Sequence, residues 1–315
     1  MPEVSSTRTW WRDWLGAVPD PLGTFDVGAA VRSGSGMRRC AVRLTSYGTV
    51  LEAALVAPDG AGPFPAVVVP FYEVATVLGE RTRRTAEWSE DRLRASAYAR
   101  HLVARGFAVV AVPWWFEQVA VAATPTASLS ERYGPLSRRH HAALPMTGLG
   151  RSVADMELAV DALVTVPWID PARVGAFGHS LGAKMVLHLA ALDVRIHVAV
   201  AHEAGVGFAH SNWSDQWYLG SHIPLGRDQD DLLRLVAPRS FLVAGGGDAD
   251  GRHNEELVRR ARPAWGDVAG LQTLYHDNGH APPEHVLAAC YTWLAARLNG
   301  PDLPTLERSP HIGPP

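Results

Sequence analysis

The sequence predicts an α/β fold, a mainly parallel sheet with helices on both faces, on three observations. Strand-like and helix-like signals alternate along most of the 315 residues, the pattern of βα units rather than of a bundle or a sandwich. The runs Pro65–Pro70 and Phe107–Val112 are continuously apolar, as strands buried on both faces are. Between a strand-like run and a helix-like run stands Gly178-His179-Ser180-Leu181-Gly182, a strand–turn–helix junction with small residues where the chain must reverse sharply.

Residues 1–36 read as an N-terminal helical arm. Thr9 is placed to cap a short helix carrying Trp10, Trp11, Trp14, Leu15 and Val18 on one stripe, which predicts packing on the body of the protein. Met37–Leu44 and Thr49–Pro58 read as paired strands joined by Thr45-Ser46-Tyr47-Gly48. Pro65–Pro70 is a buried strand, Glu90–Arg105 a helix stopped by Gly106, and Phe107–Val112 a second buried strand. Ser152–Val166 is an amphipathic helix with Val153, Met156, Ala159, Val160 and Leu163 on one face. Ala172–Phe177 and Ala183–Leu192 flank the glycine-rich turn. His197–Ala201, Arg239–Ala244 and Leu271–Tyr275 follow as strands, with helices at Glu255–Ala261 and Pro283–Leu298. Two stretches break the alternation, near 116–150 and 207–235. Both follow strands and read as insertions that wall or cover a pocket.

Bulk properties exclude several classes. A formal charge of −3 offers no basic footprint for nucleic acid. No apolar run approaches a membrane span, and the first residues lack a charged start followed by an apolar stretch, so the expected location is the cytoplasm. Cys40 and Cys290 are the only cysteines, which predicts reduced thiols rather than a disulfide framework. The histidines show no metal-ligand spacing, so no metal or other cofactor is expected. Of 29 Lys and Arg, Lys184 is the single lysine, four residues after Ser180, where a different cation shape and pKa would matter.

The strand–turn–helix context makes Ser180 a candidate nucleophile, raised on a nucleophile elbow beside the free N–H groups of a helix start. A serine hydroxyl is a weak nucleophile and needs a base, itself oriented by an acid. His280, in Asp277-Asn278-Gly279-His280 between the last strand and the closing helix, is the expected base, ahead of His276 and His285. Three carboxylates at strand ends compete for the acid: Asp248 and Asp250 in a glycine-rich turn, and Glu203 closing an apolar strand, where an unpaired carboxylate is costly to bury. The backbone N–H of Leu181 and one from the loop Phe71-Tyr72-Glu73 are the expected oxyanion donors, with the Tyr72 hydroxyl as a further candidate.

At these residues the chain resembles the α/β-hydrolase superfamily and, within it, the dienelactone-hydrolase and acetyl-xylan-esterase-like branch. Matching segments include Val69-Pro70-Phe71-Tyr72-Glu73, the approach Ile169-Asp170-Pro171-Ala172-Arg173-Val174, and Ala237-Pro238-Arg239. The resemblance spans residues 37–300 and implies one catalytic domain over 37–315, with the arm outside it. A narrower resemblance is to glucuronoyl esterases, which carry a lysine four residues past the serine, like Lys184. Their acid is a glutamate in a Glu-x-Gly setting, like Glu203-Ala204-Gly205. This resemblance ranks Glu203 first as the acid, then Asp250, then Asp248. It departs at Leu181, where those enzymes have an arginine.

Lys184, Trp115, Trp213 and Trp217 are the expected substrate-binding residues, although core packing accounts for each tryptophan nearly as well. The resemblance implies hydrolysis of a small carboxylic ester or lactone through an acyl-enzyme on Ser180. An acyltransferase with the same residues, or a non-catalytic ligand-binding scaffold, are the alternatives. The sequence leaves a homodimer open.

Overall fold

Strand patterning builds one ten-stranded sheet in the computed structural model, which describes residues 2–33, 36–120, 127–266 and 269–300. The strands are β1 Thr24–Val27, β2 Val31–Ser33, β3 Met37–Ser46, β4 Thr49–Pro58, β5 Phe64–Phe71, β6 Ala108–Pro113, β7 Ile169–His179, β8 Val198–His202, β9 Ser240–Gly246 and β10 Leu271–His276. Their order is β1-β3-β4-β6-β5-β7-β8-β9-β10, with β2 also pairing β3. From β6 to β10 every pairing is parallel, while β1 to β4 join antiparallel.

Side-chain alternation divides the core into two layers, one on each face. Ala66 and Val68 of β5, with Ala108, Val110 and Val112 of β6, enter one layer. Val67, Val69, Val109 and Ala111 enter the other. Each such valine contributes about 1.5–3 kcal/mol by leaving water, and this is why both strands read as unbroken apolar runs. Helices Gly148–Val164 and Leu181–Leu192 cover the first face, and Tyr98–Val103 and Glu284–Leu298 the second.

The expected elements recur, with differences that include these. The first helix runs Pro2–Leu15, and Thr9, expected as its cap, lies inside it with its hydroxyl donating to Ser5 O. The arm is also not wholly helical, because β1 and β2 extend the sheet from within residues 1–36. They are short and exposed, so they lack the apolar alternation by which a strand is read. The helix expected at Glu90–Arg105 is two helices, Glu90–Ala95 and Tyr98–Val103, broken where Ala97 leaves helical geometry. The aperiodic stretch near 116–150 holds a helix, Leu129–Ala143, started by a Ser128–Glu131 capping box. Its interior proline and run of charges mask the helical period.

Trp11 and Leu15 of the first helix are fully buried. Arg8 donates to Ala191 O and Leu235 O, and Arg12 pairs with Glu157, so the arm docks on its own chain. Among the described residues no helix is long and apolar enough to cross a membrane. Both cysteines are free and buried.

Candidate active site

Three loops at the carboxyl ends of β7, β9 and β10 bring the site together. Ser180 sits between β7 and the helix Leu181–Leu192 with φ 55°, a left-handed conformation that costs a non-glycine residue strain and is kept where the surroundings over-determine it. The two flanking glycines make this turn sterically possible. A Cβ on Gly178 would meet the carbonyl of Gly182, and a Cβ on Gly182 would meet the carbonyl of Pro70 at the end of β5. The same close approach sets the end of β5, with Pro70 and the Phe71 side chain, against Gly182 at the start of the helix.

His280, on the loop after β10, places Nε2 2.9 Å from Ser180 Oγ and Nδ1 2.9 Å from Asp250 Oδ2. Asp250 ends the short helix Gly247–Asp250 that follows β9, and it is buried. Burial works against its charge, but the His280 hydrogen bond and charge, the neighbouring Glu203 carboxyl and the charge of Lys184 bring its carboxyl below the ordinary value. The imidazole is thus oriented by a carboxylate on one nitrogen and faces the serine with the other.

Glu203, ranked first from sequence, occupies a different place. It follows β8 with φ 60°, accepts a hydrogen bond from Gly246 N–H (3.0 Å), and puts Oε1 2.7 Å from His276 Nε2. Its carboxyl lies within 4.8 Å of the Asp250 carboxyl. Burial pushes its pKa well above the carboxylate range, and the Asp250 charge adds to the rise. It touches His280's partner rather than His280, because its strand is one place further from β10 than the Asp250 turn. The side chain of Asp248 lies outside the described residues.

Lys184 is buried on the helix that Ser180 starts. Its Nζ donates to Ala204 O (3.0 Å) and Ser211 Oγ (2.9 Å) and stands 3.7 Å over the Trp213 ring. Burial lowers its pKa to about 7, against the opposing charges of Asp250 and Asp215. Trp213 is fully buried, with Nε1 donating to Gly205 O, and Trp217 is buried edge-on to Tyr133. Trp115 donates to Thr49 Oγ1 on the β3–β4 hairpin. The Tyr72 hydroxyl is engaged by Tyr218 and Arg84, and the Arg84 guanidinium lies 3.6 Å over its ring. Glu117, itself buried, holds Arg84, Arg132 and the Tyr133 hydroxyl together behind that ring.

Sequence reasoning gave no role to this Glu117 hub or to His179 and His202, whose Nδ1 atoms lie 3.1 Å apart behind His280. His179 stands inside the elbow motif and His202 beside Glu203, so their positions were the available signal.

The sheet order, the elbow after β7 and the three loops define an α/β-hydrolase fold. The chain is similar to a glucuronoyl esterase from Solibacter usitatus (16% identity, TM-score 0.68, covering 90% of this chain and 88% of that one). It is similar to a glucuronoyl esterase from Teredinibacter turnerae (17%, 0.68, 93% and 84%). It is also similar to a putative acetyl xylan esterase from Bacteroides fragilis (20%, 0.63, 89% and 76%). No family model and no curated protein matches the sequence.

Proposed function

We propose that this protein is a serine esterase that cleaves a carboxylic ester or lactone through an acyl-enzyme on Ser180. The observation that carries this reading is the unbroken hydrogen-bonded chain Ser180–His280–Asp250 at the carboxyl edge of the sheet. His280 Nε2 takes the proton of Ser180 as Oγ attacks the substrate carbonyl, and Asp250 orients and stabilises the imidazolium that forms. The Leu181 N–H and the loop at Phe71–Tyr72 receive the oxyanion. His280 then gives its proton to the leaving alcohol, and on the return half takes one from water, which releases the acid and restores Ser180. In this reading Asp250 is the acid, and Glu203 supports it from behind.

Similarity to structures described as glucuronoyl and acetyl xylan esterases supports carbohydrate esters as the first substrates to screen. Leu181 stands where the glucuronoyl esterases have arginine, so acetylated sugars and lactones belong in the same screen.

The test is incubation with a fluorophosphonate probe and a short p-nitrophenyl ester, with the adduct mapped by mass spectrometry. We expect one adduct on Ser180, and ester turnover that Ser180→Ala abolishes. A folded protein showing neither adduct nor turnover overturns the proposal in favour of a non-catalytic scaffold. Transfer of the acyl group to an added alcohol faster than to water would reassign it as an acyltransferase.

A further inference from the structure

We propose that His202, Glu203 and His276 form a binding site for a zinc-class divalent cation, lying behind the Ser180–His280–Asp250 chain. One ligand atom from each lies within 4.8 Å of the others. Glu203 Oε1 is 2.7 Å from His276 Nε2 and 3.8 Å from His202 Nδ1. Donors on a tetrahedral zinc, with bonds of about 2.0–2.2 Å, stand roughly 3.3 Å apart. The two distances bracket that separation, and modest side-chain rotation closes the set around an ion.

The sheet constructs this convergence. His202 ends β8, Glu203 follows it, and His276 ends β10, so β9 runs between them. At the register position beside His276, β9 carries Gly246, and a Cβ there would collide with the His276 ring. The missing side chain lets groups from β8 and β10 meet across the intervening strand. No ligand spacing is visible in the sequence because the donors come from separate strand ends.

A simple His–Glu hydrogen bond accounts for His276 but not for His202. That imidazole is fully buried, and its Nδ1 faces Glu203 at 3.8 Å, beyond hydrogen-bond length, while it pairs with His179 Nδ1 at 3.1 Å. Its Nδ1 side is the side a cation would share with Glu203. Two imidazoles and one carboxylate are a donor set for Zn²⁺ or Co²⁺ rather than for Mg²⁺ or Ca²⁺, which take oxygen ligands. A bound cation would take Glu203 as the carboxylate, its proton passing to solvent. An effect on turnover rests on the esterase reading; the binding itself does not.

The test uses chelator-treated full-length protein titrated with Co²⁺ under visible absorption, followed by displacement with Zn²⁺ in a calorimeter. We expect one equivalent of Co²⁺ with the intense visible bands of tetrahedral coordination, and its displacement by Zn²⁺. His276→Asn and Glu203→Gln, each checked for folding by circular dichroism, should weaken binding by more than about tenfold. Ser180→Ala should bind as the wild type does, whether or not the protein proves to be an esterase. Absence of the tetrahedral bands overturns the proposal, and so does unchanged uptake in whichever of the two ligand variants folds.

Discussion

Replacing Lys184 by methionine should remove the rise in folding stability that this lysine contributes between pH 7 and pH 10. The side chain is buried, and its pKa falls from 10.5 to about 7 because burial disfavours the ammonium form. In the unfolded chain the same lysine keeps its proton up to about pH 10.4. Between those limits the unfolded state binds more protons than the folded one, so stability rises with pH. Below pH 7 both states are charged, and the folded state bears the full cost of a buried ammonium, on the order of 5 kcal/mol at about 1.4 kcal/mol per tenfold change.

Methionine keeps the apolar stem and removes the charge, at the expense of the bonds to Ala204 O and Ser211 Oγ. That loss is nearly independent of pH, so the difference between variant and wild type isolates the titration. Urea denaturation at intervals from pH 6 to 10, with m-values checked for constancy, should show the variant gaining about 4 kcal/mol relative to wild type at the acid end. Parallel profiles across this range would refute the reasoning and mean that Lys184 titrates as a solvated lysine.

Asp250→Asn should lower kcat by about 10³–10⁴-fold, because an amide cannot hold the imidazole as a carboxylate does. Glu203→Gln should leave at least about a tenth of the wild-type rate, since its hydrogen bond goes to His276 rather than to His280; the opposite ranking in ester hydrolysis assays would make Glu203 the acid. Glu117→Ala strands Arg84 and Arg132 without their shared carboxylate and should destabilise the fold by about 3–5 kcal/mol in urea denaturation. A loss below about 1 kcal/mol would mean that water replaces Glu117 at no cost.

Local chemistry carried much of the site into the sequence. The Gly178–Gly182 turn needs only its own glycines and the two elements it joins, and His280 needs only to follow the last strand. The continuous apolar runs of β5 and β6 announced a sheet covered on both faces, because each residue on such a strand meets a core whichever way it points. The edge strands β1 and β2 were not legible for the converse reason, since a short strand in water has no face to pattern.

The choice between Glu203 and Asp250 was beyond any reading of neighbours along the chain. Both are carboxylates at strand ends, and the Glu-x-Gly setting favoured the first. What separates them is where each turn carries its side chain. The helix after β9 brings Asp250 to His280 Nδ1, while the missing side chain at Gly246 makes room for the His276 ring, which meets Glu203. The sequence by itself determined the buried strands, where the serine is raised and which histidine follows the sheet, because these depend on periodicity and on turns a few residues long. Only the tertiary structure decided which carboxylate meets which imidazole, because that pairing joins residues 30 and 73 positions apart through the order of strands in the sheet.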